Sequence, residues 1–98
     1  MPHALVTLSP GPRFAEQQRL AAEHVRFIEG LMARHAVLCG GVFEGAGPEF
    51  GAYVLRCHDV KEAERTAAED PYVREKVCVA RVRGWRIVAV DPAAAVEP

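Results

Sequence analysis

The stretch that decides the fold is AVLCGGVFEGAGPEFGAYVLRC, residues 36–57. Two apolar runs, 36–43 and 50–57, flank a segment at 44–48 whose glycines and proline are typical of a turn. A strand, a turn and a second strand of this length most simply form a β-hairpin. We expect the first of these strands to be buried on both faces or nearly so, because its apolar run is interrupted only by glycines.

A helix is predicted on each side of this hairpin. Before it, residues 15–34 carry a stripe at helical spacing with charged residues on the other face. The stripe comprises Leu20, His24, Phe27, Ile28, Leu31 and His35. After it, Asp59 can cap a second helix that runs to about residue 69, with Glu62 in the position of a capping box. Pro71 then ends that helix.

Strands are predicted at both ends of this unit. Residues 4–8 form a short buried strand, which Ser9-Pro10-Gly11-Pro12 terminates. Residues 77–90 form a long last strand whose apolar phase changes partway, and Gly84 would reset that phase as a bulge. The order β-α-β-β-α-β is the ferredoxin-like arrangement of the α+β class, an antiparallel sheet with two helices on one face.

Length and composition are those of one globular domain. The chain has 98 residues, half of them apolar, and a formal net charge of −1. We assign a single domain to residues 1–98, with a core over about 4–90 and a loose tail at 91–98. Two helices cannot cover both faces of the sheet of so small a domain, so a homodimer is expected.

Charge, hydropathy and cysteine usage limit the kinds of partner and the cellular location that the sequence supports. The charge balance gives no basic excess for nucleic acid, and no apolar run is long enough for a membrane span. No secretory leader pattern opens the sequence. No two of the three cysteines, Cys39, Cys57 and Cys78, have C-x-x-C spacing, so disulfides or a zinc site are not favoured. We expect reduced thiols in the core, and hence a cytoplasmic protein.

His24 stands near the centre of the apolar stripe of the first helix. On a ferredoxin-like frame that stripe faces the sheet, and desolvation there favours the neutral ring. A neutral imidazole can act as a general base near neutral pH. The alternative is a core histidine hydrogen-bonded to backbone.

Asp70 is the second residue of interest. Val60, Ala63, Ala67 and Asp70 follow one helix face, so the carboxylate is predicted to point inward and to need a donor. It could instead turn outward, or cap the turn that Pro71-Tyr72 starts. Because both helices pack on one sheet face, Asp70 and His24 could meet, with Asp70 fixing the tautomer and His24 as the base.

Three further residues are predicted to contact a ligand. Gly41 lies in a strand, where a glycine marks a bulge or a close backbone approach. Tyr72 could line a pocket, as could Trp85, although both aromatics could serve packing alone. Arg74 could bind an anion or be a solvated surface residue. No metal-ligand spacing is present among the histidines, and no cofactor is predicted.

Several short segments together resemble the YCII (YciI-like) family. They are Ser9-Pro10-Gly11-Pro12, His24-Val25-Arg26-Phe27, Gly40-Gly41-Val42-Phe43, Glu62-Ala63-Glu64, Asp70-Pro71-Tyr72-Val73 and Trp85. The resemblance covers about residues 5–90 and implies a dimeric α+β barrel, in which two ferredoxin-like sheets close on each other. It also implies a histidine–aspartate site, which carries over to His24 and Asp70. His35 departs from the pattern, since a glycine is expected there.

The resemblance supports acid–base chemistry on small organic molecules. One enzyme of related sequence removes chloride from a chlorinated hydroxyquinone, and structurally related barrels include muconolactone isomerase. Our leading hypothesis is a lyase- or isomerase-like enzyme with His24 as base and Asp70 as its orienting partner. The alternatives are a non-catalytic dimeric module that binds a small aromatic or anionic metabolite, and a purely structural dimer.

Overall fold

The computed structural model describes residues 2–91 and residue 93. Four strands and three helices follow in chain order, with a 3₁₀ turn at Phe14–Glu16 before the first helix. They are β1 (His3–Pro10), α1 (Gln17–Ala33), β2 (Val37–Val42), β3 (Gly51–Arg56), α2 (Val60–Ala68), α3 (Pro71–Arg74) and β4 (Cys78–Trp85). Within the described residues, no helix is long and apolar enough to cross a membrane.

The four strands form one antiparallel sheet in the order β2-β3-β1-β4. This confirms the predicted α+β class with the ferredoxin-like order, including the hairpin of β2 and β3. The hairpin contains one register shift between Val37 and Cys39. Such a bulge locally increases the twist of the strand that carries it.

The core lies between the sheet and the helices. Alternate residues of β1, namely Ala4, Val6 and Leu8, are buried, as period-two geometry requires of a strand with one covered face. They pack with Leu20 and Leu31 of α1, Ala63 and Ala67 of α2, and Tyr53 and Leu55 of β3. The opposite face of the sheet, which we call the open face, carries Leu5, Thr7, Ala52, Val54, Val79 and Arg81 by register.

The first strand extends one residue before and two residues beyond the predicted range. Pro10 pairs with Cys78 of β4, whereas the pairing with β3 ends at Leu8. The amide of Gly11 donates to the carbonyl of Val77, so the backbone of Pro10 points the other way, beyond the end of β3. A proline is tolerated at this position because the missing N–H has no ladder partner to serve.

The prediction that β2 is buried on both faces is wrong. Val37 is its one buried residue, and the other five are exposed. The reason is topological, because β2 is an edge strand that pairs with β3 on one side only. Cys39 is therefore exposed, against expectation, whereas Cys57 and Cys78 are buried as predicted.

The last strand is shorter and more regular than predicted. It ends at Trp85, not at residue 90, and its pairing with β1 runs without a shift from Cys78 to Trp85. Gly84 is therefore not a bulge. The apparent change of phase arises because Val77 lies before the strand begins, and the outward row Val79, Arg81 and Arg83 then has one consistent parity.

The helix ends follow local chemistry. Asp59 caps α2, its carboxylate accepting from the amide of Glu62 at 2.8 Å, as predicted. The Glu62 carboxylate in turn accepts from the amide of His58 at 3.0 Å.

His35 is not the last member of the α1 stripe, since α1 ends at Ala33 and His35 is exposed with a φ of 61°. Of the predicted loose tail, all but residues 91 and 93 lies outside the described residues.

Candidate active site

Asp70 begins α3 and does not end α2. Its side chain accepts from the amide of Tyr72 at 2.9 Å, which is an N-cap contact, and Pro71 takes the first helical position. The predicted inward orientation and the alternative, a cap for the turn that Pro71-Tyr72 starts, are therefore both present. Asp70 is the one fully buried charged residue among those described, with 0% of its surface exposed.

His24 meets this carboxylate from the middle of α1. Its Nδ1 lies 2.9 Å from Oδ1 of Asp70, so the predicted contact is present in the structure. An ionised carboxylate can only accept, so Nδ1 carries the proton of this bond. In the neutral ring Nε2 is then the free acceptor, and it makes no hydrogen bond to the described residues. The side chain keeps 17% of its surface exposed.

Tyr72 supports the histidine ring from one side. The two rings are stacked, with centroids 4.2 Å apart and planes 10° from parallel. The hydroxyl of Tyr72 accepts from the Nε2 amide of Gln17 at 3.0 Å, and burial raises the pKa of this phenol. The structure thus places Tyr72 beside the pair as a packing partner of His24, and its contact with a ligand stays a prediction.

Sequence reasoning missed Tyr53, which lies in the same part of the core. Its hydroxyl and Oδ2 of Asp70 are buried, and neither has a hydrogen-bond partner among the described residues. Burial raises the pKa of Tyr53, and the charge of Asp70 adds to the effect. The signal was available in the strand parity, because Tyr53 and Leu55 share the helix-facing row of β3.

The charge of Asp70 is also felt at a buried thiol on β4. Burial, together with the smaller effect of the negative charge of Asp70, raises the pKa of Cys78 to about 11. Like the phenols of Tyr53 and Tyr72, this thiol stays neutral near neutral pH. The carboxylate of Asp70 therefore has neutral groups on these sides, and His24 is the partner that can become positively charged.

The other predicted ligand contacts lie away from the pair. Gly41 pairs with Ala52 in the row that belongs to the open face, whereas His24 belongs to the helix layer. Arg74 lines a groove between α1 and α3 that includes neither His24 nor Asp70. Gly41 and Arg74 therefore do not adjoin the pair within this chain, and their contact with a ligand stays a prediction. The alternation of side chains along β2 places Gly41 on the face of the sheet away from His24. Arg74 lies on the exposed side of the short helix α3.

Trp85 contributes to a different cavity. This cavity, of about 810 Å³, lies at the other end of the sheet near the start of α2. It is lined mainly by Pro2, His3, Cys57, His58, Val60 and Trp85. Trp85 is therefore separated from the His24–Asp70 pair.

Fold and site together define a class: ferredoxin-like α+β proteins that hold a histidine–carboxylate pair between a helix and the sheet. A family model described as the YCII-related domain matches residues 1–86. The chain belongs to the YCII-related family.

Two solved structures resemble the fold. The 5-chloro-2-hydroxyhydroquinone dehydrochlorinase of Burkholderia phenoliruptrix, solved in complex with 2,5-dihydroxybenzoquinone, has a TM-score of 0.70 and 18% identity, with 86% of this chain and 93% of that chain covered. The protein MtbAldR has a TM-score of 0.58 and 12% identity, with 97% of this chain and 60% of that chain covered. A search of the curated proteins finds no match.

Proposed function

We propose that this protein is a lyase- or isomerase-like enzyme that performs acid–base chemistry on a small, quinol-like organic molecule. The observation that carries the proposal is the His24–Asp70 pair, with its 2.9 Å hydrogen bond and a partly exposed histidine side chain whose Nε2 bonds to no described residue. The structural likeness to a dehydrochlorinase that acts on a chlorinated hydroxyhydroquinone supports the substrate class.

The proposed mechanism assigns each residue one task. His24 accepts a proton at Nε2 from a hydroxyl or an activated carbon of the substrate. Asp70 holds the proton on Nδ1 and stabilises the imidazolium that forms, and the Tyr72 ring keeps the imidazole in place by stacking. His24 then returns the proton to another atom in an isomerisation, or to solvent after an anion has left in an elimination.

The assembly we propose is a homodimer that closes a barrel over the open face. The helices pack against the other face of the sheet, and Leu5, Ala52 and Val54 on this face are apolar. Strand β2, at the edge of the same sheet, is also exposed. A second copy of the chain placed against the open face and β2 would bury both of these surfaces. The family resemblance implies the same arrangement.

We further propose a cytoplasmic location. All three cysteines are free thiols. Free thiols persist best in a reducing compartment. The proposal can be checked by locating the tagged chain in fractionated cells of its source.

The catalytic assignment is tested with wild type, His24→Gln and Asp70→Asn on a panel of chlorinated and hydroxylated quinols. We expect His24→Gln to lower kcat/KM by about 10²- to 10⁴-fold, the range for loss of a general base. Asp70→Asn should keep an oxygen for the Tyr72 amide but lose the charge that stabilises the imidazolium, so its pH–rate profile should change shape.

His58→Gln provides the matched control, since His58 is exposed and its backbone amide, not its ring, contacts Glu62. It should leave kcat/KM unchanged. Full activity in His24→Gln would overturn the assignment of the base. No turnover of any panel compound by the wild type would contradict the enzymatic proposal itself.

A further inference from the structure

A second groove lies on the outer side of the helix layer. It has a volume of about 450 Å³ and runs between α1 and the segment that joins α2 to α3. Its lining consists of Arg26, Phe27, Gly30, Leu31, Arg34, Glu69 and Arg74. Neither His24 nor Asp70 belongs to it, so it is distinct from the candidate active site.

The groove concentrates positive charge that the protein itself does not neutralise. Three guanidinium groups line it, against the single carboxylate of Glu69. None of the three is in an ion pair or a side-chain hydrogen bond with another described residue. Elsewhere on the surface the chain does pair its arginines, since Arg13 and Arg19 both contact Glu16 at distances of 2.7 and 2.8 Å.

The shape of the groove is set by a glycine. Arg26, Gly30 and Arg34 follow each other at intervals of four residues on α1, so they share one helix face. A Cβ atom added at Gly30 would meet nothing within 4 Å. The space between the two arginines is therefore open, and the partly buried ring of Phe27 provides apolar surface beside it.

We propose that this groove binds the carboxylate or phosphate group of a small organic anion. Guanidinium groups bind both groups in a planar, bidentate geometry, and a concave surface lined by one sign of charge attracts such ligands. Phe27 would contact the apolar part of the ligand. The net charge of the whole chain is −1, so the attraction is local to this groove. The proposal does not depend on catalysis by His24.

Titration calorimetry and NMR with benzoate, phenyl phosphate, inorganic phosphate and neutral benzyl alcohol test the proposal. Benzoate and phenyl phosphate should bind with shifts at Phe27 and Gly30, and benzyl alcohol should not bind. If benzoate and phenyl phosphate differ in affinity, the tighter binder identifies the preferred anionic group. The ratio between the affinities of phenyl phosphate and inorganic phosphate measures the contribution of the apolar contact.

Charge variants separate a built site from general attraction. Arg74→Gln should weaken binding about three- to tenfold, and Glu69→Gln should strengthen it by a smaller factor. Arg65→Gln and Glu64→Gln are the matched controls, because they change the charge equally at exposed positions of α2 outside the groove. Equal losses in Arg74→Gln and Arg65→Gln would overturn the proposal.

A steric variant tests the location independently of charge. Gly30→Leu should block the open space and abolish binding, while leucine in place of glycine favours the helix. Ala22→Leu places the same side chain at an exposed position of α1 outside the groove and should bind as wild type does. Undiminished binding of benzoate by Gly30→Leu would contradict a site in this groove.

Discussion

At the scale of single residues, one oxygen of Asp70 has two functions. Oδ1 caps α3 through the amide of Tyr72 and accepts from Nδ1 of His24, both at 2.9 Å. The N-cap bond depends only on the backbone at the start of α3. It therefore holds the carboxylate in position independently of His24. The position of the His24 ring is in this way coupled to the start of a four-residue helix.

The hydroxyl of Tyr53 is predicted to destabilise the fold. It is buried without a partner among the described residues, so it has lost its hydration and gained no bond in return. We expect Tyr53→Phe to raise the free energy of unfolding by about 1 kcal/mol in urea denaturation.

Tyr72→Phe is the paired control for this prediction. It removes a hydroxyl that does have a partner, the amide of Gln17, and should lower the free energy of unfolding by about 0.5–1.5 kcal/mol. If Tyr53→Phe proved as destabilising as Tyr72→Phe, the Tyr53 hydroxyl would have to be hydrogen-bonded in the folded protein.

At the scale of secondary-structure elements, the turn after α1 shows how backbone geometry overrides residue preference. His35 takes a φ of 61°, the left-handed region in which glycine commonly ends a helix. Its position is fixed by neighbouring bonds, since its amide donates to Met32 and the amide of Ala36 donates to Leu31. Its carbonyl also accepts from the guanidinium of Arg56 at 3.0 Å.

His35→Gly is expected to stabilise the protein. Glycine removes the steric cost of the left-handed conformation, and the backbone bonds at this turn do not need the histidine side chain. The greater freedom of glycine in the unfolded chain offsets part of the gain, so we expect a rise of about 0.5–1 kcal/mol. Thermal and urea unfolding would measure it.

Arg34→Gly tests the reasoning with the neighbouring residue. Arg34 has a φ of −103°, so glycine relieves no strain there and should lower stability. A loss of stability in His35→Gly as large as in Arg34→Gly would show that the histidine side chain contributes to the turn.

At the scale of the whole molecule, the sheet has one covered face and one open face. The helices cover the face that carries Ala4, Val6 and Leu8. Strand parity places Leu5, Thr7 and the exposed Val79 on the open face. In a chain of 98 residues, a single layer of helices covers only one face of the sheet. Association with a second copy is a common way for so small a domain to bury the other face.

Thr7→Glu is predicted to separate the proposed dimer. Light scattering of the wild type at micromolar concentration should report twice the 10.7 kDa chain mass, and Thr7→Glu should report the mass of a single chain. The change places a carboxylate at the centre of the open face, opposite Arg81 across the strand pair, so the fold should tolerate it.

Val25→Glu is the control for the dimer prediction. Val25 is 52% exposed on α1, close to the 55% of Val79, but it does not lie on the sheet. This variant should remain dimeric. A wild type that scatters as a single chain would remove the argument for a barrel.

The sequence by itself determined the order of elements and the two inward-facing ionisable residues. Hydrophobic periodicity located α1 and α2, the Asp59–Glu62 spacing marked the start of α2, and the stripe of α1 placed His24 toward the sheet. These features are local, because they depend on the spacing of residues within one turn of a helix or a few residues of a strand.

Only the tertiary structure decided which neighbours these residues have. The exposure of β2 follows from its place at the sheet edge, which hydrophobicity along the chain does not encode. The separation of Gly41 and Arg74 from His24, and the presence of Tyr53 near Asp70, depend on how strands and helices pack. Such contacts join residues far apart in sequence, and their partners are set by the packing of the whole domain.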